Sequence, residues 1–293
     1  MKKRAFGNTG LQVSALGFGA MHLNDDRVSE ADAGRLLNEV LDLGVNLIDT
    51  ARGYGLSEER IGRHIAHRRN DYVLSTKVGY GIPGFQDWTY DCIAAGVEAA
   101  LRRMQTDVLD IVHLHSCPLH VLQQGDVIRG LEDCQRAGKL RVVAYSGDNA
   151  ELDWSIASGR FGSVQTSISI CDQQSIAARL PLMREKGVGV IAKRPIAGAV
   201  WKQTSRPDAH AEGIYWDRRK TMDIDPKGMD WTELALRFSA HLPGVASCIV
   251  GTGKLENFRS NLHIVDQGPL DVGLQAHVLE AFRQYGQHWD GLI

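Results

Sequence analysis

Short apolar runs alternate with longer amphipathic segments eight times along this chain, and few folds can absorb that rhythm. ALGFG (15–19), NLIDT (46–50), YVLSTK (72–77), VLDIVHLH (108–115), RVVAYS (141–146), SVQTS (163–167), VGVIAK (188–193) and SCIVG (247–251) each have strand length and strand-like apolar content. Between them apolar residues recur at helical spacing. In EADAGRLLNEVLDLG, for example, Ala33, Leu36, Leu37, Val40 and Leu41 share one face and Gly44 supplies a stop. Strand–helix alternation repeated this often predicts an α/β fold, a closed parallel (β/α)8 TIM barrel rather than an open sheet. No linker interrupts the pattern, so residues 1–293 are expected to form a single domain. Ahead of the first barrel strand, KRAFGNTGLQVS has two short stretches around Asn8-Thr9-Gly10 and predicts an N-terminal β-hairpin capping the barrel bottom. Residues 195 to 230, rich in Pro, Gly, Asp and aromatics, are too many for an ordinary loop and are expected to be functional.

Composition narrows the classes of function. With 293 residues and 43% apolar content the chain can bury a large core. A net charge of -2 lacks the basic surplus that binding a phosphate backbone requires, so no nucleic-acid partner is expected. The start, MKKRAFGNTGLQVSALG, lacks the apolar run of a signal peptide, and no stretch approaches the roughly 18 apolar residues of a membrane span. A cytoplasmic protein with no membrane partner is therefore expected. Five cysteines, an odd number without a C-x-x-C pair, suit reduced thiols.

In such barrels the C-terminal strand ends converge on the active face. Asp49 ends the second predicted strand, Lys77 the third and His115 the fourth, and Tyr54 follows five residues after Asp49. Ser146 ends the fifth, Gln165 lies in the sixth, Lys193 and Arg194 close the seventh, and Gly251, Thr252 and Gly253 follow the eighth. Taken singly, Asp49 can cap a turn, Tyr54 can pack, Lys77 can be a solvated strand end and His115 a core histidine. Together they form a proton-transfer group. A phenol is too weak an acid for easy exchange at neutral pH, a neighbouring ammonium favours its phenolate, and a carboxylate holds that ammonium in place. His115 then hydrogen-bonds a substrate oxygen or assists the transfer. VGTGKLENFRSN runs from a strand end through glycines into a helix, which turns backbone amides toward an anion. A rival reading takes His113 and His115, at His-x-His spacing on one strand face, as ligands of a barrel metallohydrolase. No further ordered ligands follow at strand ends, so no metal is expected.

GNTGLQVSALGFGAM, GVNLIDTARGYGLSEERIG, STKVG, AALRRMQTDVLDIVHLH, AGKLRVVAYSG, VQTS and IVGTGKLENFRSNL resemble the aldo-keto reductase superfamily over nearly the whole chain. The resemblance implies an oxidoreductase that moves a hydride between a nicotinamide and an aldehyde or ketone. Asp49, Tyr54, Lys77 and His115 would be its catalytic tetrad, and Tyr54 the general acid. It further implies a cofactor site from Gly19, Met21, Asp49, Ser146, Gln165, Lys193, Arg194, Gly251, Thr252, Gly253, Lys254, Asn257 and Asn261. NADP(H) is the expected cofactor, because Lys254 or Arg259 can pair with a 2'-phosphate, and NAD(H) is the alternative. Two departures stand out. Gly147 replaces the usual Asn after Ser146, so one amide contact is lost or falls to Asp148 or Asn149; Lys193 and Arg194 stand where an aromatic commonly stacks on the nicotinamide. Some relatives in this superfamily resemble regulatory subunits with little turnover, which is a second reading. Trp88, Trp201, Tyr215 and Trp216 are candidates to line a pocket for a small carbonyl or alcohol substrate, or else to pack loops on the barrel. The C-terminal AFRQYGQHWDGLI is expected to end a last helix and reach the pocket rim or a partner. Oligomeric state is open.

Overall fold

The structure is a computed structural model that describes residues 1–24 and 27–293. Among the described residues ten strands form two sheets: β1 (Lys3–Ala5), β2 (Gln12–Ser14), β3 (Leu16–Gly19), β4 (Leu47–Asp49), β5 (Val73–Val78), β6 (Leu109–His115), β7 (Leu140–Ser146), β8 (Ser163–Ser167), β9 (Gly189–Lys193) and β10 (Ser247–Val250). β1 and β2 pair antiparallel, and β3 to β10 close into a parallel barrel in which β10 pairs with β3. Every barrel strand coincides with one of the apolar runs.

The core lies in two layers. Helices such as Glu30–Asp42 press Leu36, Leu37, Val40 and Leu41 onto the outside of the barrel. Inside, Leu47, Val73, Ile111, Val142 and Ile191 meet Phe6, Leu11 and Val13 of the hairpin, which plugs the bottom. The plug requires close backbone approach. Gly7 has φ +53, and a side chain there would stand 2.3 Å from the Gly187 carbonyl oxygen.

Helix boundaries depart from the periodicity where the backbone demands it. The stretch 121–138 is two helices, Leu119–Gln124 and Asp126–Arg136, because Gly125 turns left-handed at φ 82. The stretch 173–187 also breaks, into Gln174–Ala177 and Arg179–Glu185. Pro181 has no amide hydrogen to extend the first helix, and a restart at Arg179 puts it in a first turn, where none is needed. Residues 195 to 230 carry a helix of their own, His210–Met222. After the last helix, Val272–Tyr285, the chain folds back over the barrel mouth. Arg218 holds the Asp290 carbonyl at 2.6 Å, Asn149 exchanges two hydrogen bonds with Gly291, and Ser167 and Arg194 both donate to the Leu292 carbonyl at 2.7 Å. Among the described residues no helix is long and apolar enough to cross a membrane, and all five cysteines are buried free thiols.

Phe6 is fully buried at the centre of the plug. Phe6→Ala should lower unfolding stability by about 3–5 kcal/mol, the usual range for removing a core aromatic ring. Urea denaturation measures it, and a loss under about 1 kcal/mol would show that the plug does not seal the barrel.

Candidate active site

β4 and β5 place the charged centre. Asp49 is in register with Ser75, so Ser75 and Lys77 share the inward face and both reach Asp49. Lys77 Nζ donates to Asp49 Oδ2 at 2.7 Å and to the Thr50 carbonyl at 2.8 Å, while Ser75 Oγ donates to Asp49 Oδ1 at 2.8 Å. Both charges are almost wholly buried. Burial pulls the Lys77 pKa down, but the Asp49 carboxylate and then Tyr54 outweigh it, and the net shift is upward. The turn after β4 brings Tyr54 over this pair, with Lys77 Nζ 5.1 Å from its ring centroid. His115 meets the same ring edge-on at 6.1 Å. The four predicted proton-transfer residues therefore converge at the base of one cleft of about 630 Å³.

His115 is kept neutral. Burial first, then the Lys77 and Lys193 charges, push its pKa down to about 3. His113 lies two residues deeper on the same face, fully buried, with its ring nitrogens facing Ser75 Oγ at 3.1 Å and the Tyr145 carbonyl at 3.3 Å. Burial and Lys77 push its pKa down to about 4. Among the described residues no group of three or more His, Cys, Asp or Glu is placed to hold a metal, so the metallohydrolase reading has no ligand set.

Gly19, Met21, Ser146, Gln165, Lys193, Arg194 and Gly251 line the cleft with these four. Ser146 Oγ donates to Gln165 Oε1 at 3.1 Å, and Gln165 Nε2 is buried without a hydrogen-bond partner. That spare amide donor fits a carboxamide oxygen, such as that of a nicotinamide. Thr252 Oγ1 accepts from the Lys254 backbone N–H at 3.1 Å and from Asn257 at 3.4 Å, shaping the turn into the helix Leu255–Asp266. Among the described residues no side chain caps that helix, so its first amides have no side-chain partner and suit an anion. Asn261 is buried on the same helix. Gly253 and Lys254 line a groove of about 290 Å³ with Arg27 and Arg35. Arg259 is turned away, paired with Glu39 at 2.8 Å.

The two departures acquire physical causes. A side chain at 147 would stand 2.3 Å from the Tyr145 hydroxyl, so only glycine fits. Neither proposed substitute for the missing Asn is available. Asp148 is buried between Thr166, Ser167 and Lys193, and Asn149 is spent on Gly291. Lys193 Nζ pairs with Asp148 at 2.9 Å and Arg194 holds the C-terminal segment, so both cations are already engaged rather than stacked over an open ring site. Of the four candidate aromatics Tyr215 lines the cleft. Trp201 instead stacks on Trp231, Trp216 lies against Arg219 and Lys220, and Trp88 packs on Tyr80. Ile293 brings the C-terminal segment to the cleft, as expected. Sequence reasoning missed Tyr80, whose hydroxyl meets His115 Nδ1 at 2.8 Å. Its signal was an aromatic three residues past Lys77, beyond a strand end.

A barrel mouth lined by these groups is a candidate active site for a small molecule. Comparison with known proteins narrows the class. The profile described as the Aldo/keto reductase family matches residues 15–272, and the chain belongs to that family of oxidoreductases, whose members act on small carbonyl substrates. It is similar to an L-galactose dehydrogenase of Arabidopsis thaliana, at 30% identity over 90% of this chain and 88% of that protein. It also resembles a probable voltage-gated potassium channel subunit beta of the same plant, at 26% identity over 92% and 93% of the two chains. The solved holo form of the aldo-keto reductase AKR11C1 from Bacillus halodurans superposes with a TM-score of 0.84 at 29% identity, covering 96% of each chain.

Unfolded histidine titrates near pH 6.5, about 2.5 units above His113 in the fold. Between those values the unfolded chain binds more protons, so this histidine makes stability fall as pH falls. Unfolding stability should drop between about pH 7 and about pH 5 by roughly 1–2 kcal/mol more in the wild-type chain than in His113→Gln. Parallel slopes in urea titrations would mean that His113 titrates in the fold as it does in the unfolded chain.

Proposed function

We propose that this chain is an NADP(H)-dependent reductase of aldehydes or ketones, reversibly an alcohol dehydrogenase, with Tyr54 as general acid and base. The observation that carries the reading is the buried Lys77–Asp49 pair beneath the Tyr54 ring. As the phenol gives its proton to a substrate oxygen, negative charge grows on Tyr54 beside an ammonium that needs no reorganisation to receive it. Asp49 and the Thr50 carbonyl keep that ammonium charged and aimed. Neutral His115 stands across from Tyr54 and offers a hydrogen bond to the same oxygen. Asp49, Tyr54, Lys77 and His115 are the catalytic residues on this reading.

Gln165 and Ser146 suit the carboxamide of a nicotinamide, and Gly19 and Met21 the ring beside it. The bound cofactor supplies or takes up the hydride. Gly251, Thr252, Gly253, Asn257 and Asn261 build the turn and first helical turns that suit its phosphates. Support for NADP(H) over NAD(H) comes from Lys254, which lines one groove with Arg27 and with Arg35, the latter held by Asp32. Lys193 and Arg194 bear on the cofactor through the wall of the cleft, since both are tied into the fold. The protein is read as cytoplasmic, a single domain acting on small molecules. The channel-subunit relative favours a second reading, a nucleotide-binding subunit with little turnover, and silence across a carbonyl panel with NADPH and NADH would select it.

Tyr54→Phe should lower carbonyl reduction by about 10²–10⁴-fold, the range for general acid catalysis, while cofactor affinity stays within about twofold. Near-normal turnover in steady-state assays would remove Tyr54 from the chemistry. Lys254→Ala should weaken NADPH by about tenfold or more and leave NADH nearly unchanged. Equal losses in fluorescence titrations of both cofactors would take Lys254 out of 2'-phosphate recognition.

A further inference from the structure

The turn after β5 holds a residue that the proton-transfer group does not account for. Tyr80 places its hydroxyl 2.8 Å from His115 Nδ1 and stacks its ring on the imidazole, centroids 5.6 Å apart and planes 24° from parallel. The surrounding chain is shaped around it. Trp88 braces Tyr80 at 5.8 Å from a left-handed backbone, φ 60, which an L-residue with a bulky side chain adopts at a cost of roughly 1–2 kcal/mol. Gly79, at φ +147, lies directly under the Trp88 ring, where a side chain would stand 2.2 Å from it. Across the turn, a side chain at Gly53 would meet the Tyr80 hydroxyl at 3.3 Å. Two glycines and a strained tryptophan thus leave one position for the phenol.

The direction of the hydrogen bond follows from acidity. A phenol O–H is a far stronger acid than the N–H of neutral imidazole, and the bare imidazole nitrogen is a far stronger base than a phenol oxygen. Tyr80 therefore donates and Nδ1 accepts. His115 is neutral and has one hydrogen, which must then sit on Nε2.

The geometry points to Tyr80 as a positioning residue that holds His115 as its Nε2–H tautomer, with that N–H kept as a second donor to a substrate carbonyl oxygen. A carbonyl oxygen accepts and does not donate, so a site that presents Tyr54 O–H and His115 N–H together is matched to it. Without the Tyr80 hydroxyl no partner among the described residues fixes Nδ1, and both tautomers are populated. The substrate part of this inference rests on the reductase reading, but the tautomer does not.

The experiment is nitrogen NMR of the full-length chain labelled with ¹⁵N-histidine at neutral pH, with His115 identified by the signal that His115→Gln removes. The wild-type protein should show His115 with a bare Nδ1 and a protonated Nε2. Tyr80→Phe keeps the stacked ring and removes only the hydroxyl; it should shift the His115 signals toward a mixture of tautomers. The same variant should lose activity up to about tenfold in kcat/KM for carbonyl reduction, with cofactor affinity unchanged, as expected for one ordinary hydrogen bond. A wild-type His115 protonated on Nδ1 overturns the proposal, and that measurement decides even if the variant does not fold. So does a Tyr80→Phe spectrum identical to wild type. A protein with the expected tautomer but no reductase activity leaves the Tyr80 assignment standing and refutes the proposed function instead.

Discussion

The site depends on one buried ion pair. Withdrawing an ammonium and a carboxylate from water costs several kcal/mol per ion, and their attraction offsets this only when the remaining hydrogen-bonding capacity is met. Here Asp49 takes Lys77 on one oxygen and Ser75 on the other, and Lys77 also reaches the Thr50 carbonyl. Apolar residues of similar volume would fill the space at least as stably, so stability is a poor reason for the pair. Its effect is local: a fixed, buried positive charge under a half-buried phenol. The same charge reaches further, helping to hold both His113 and His115 neutral.

Around that centre the barrel supplies a floor and distant segments supply walls. Arg194, Ala197 and Ala199, all left-handed, carry the chain sharply away from β9, and the helix His210–Met222 then returns Tyr215 to the cleft. The C-terminal segment crosses the mouth, held almost entirely through its backbone. Asp172 anchors it by accepting from the Leu292 amide and the Tyr215 hydroxyl, and burial pushes this carboxyl up to about pH 6. A cleft assembled from such separate parts can change its walls without disturbing the ion pair below.

The strands were legible because a strand buried on both faces must be apolar throughout, and each such run is bounded by polar or glycine-rich sequence. The charged centre was legible because barrel topology sends every strand end to one face, so Asp49, Lys77 and His115 had to converge once the strands were known. Three features were not. The break at Gly125 hides within a helical apolar spacing that continues past it. The helix His210–Met222 buries Tyr215, Arg218 and Met222 on one face, but Arg218 stands where the pattern calls for an apolar residue. Tyr80 belongs to a turn, where no periodicity says which way a ring points.

Sequence by itself determined the barrel, its plug and the identity of the groups at its mouth, because short apolar runs and period-3.6 patterns act over a few residues and topology carries them to one end. Tertiary structure alone decided which of those groups are free to act. Lys193 and Arg194 look available in the sequence, yet Asp148 and Leu292 claim them from 45 and 98 residues away. Such pairings arise only when remote segments are packed together.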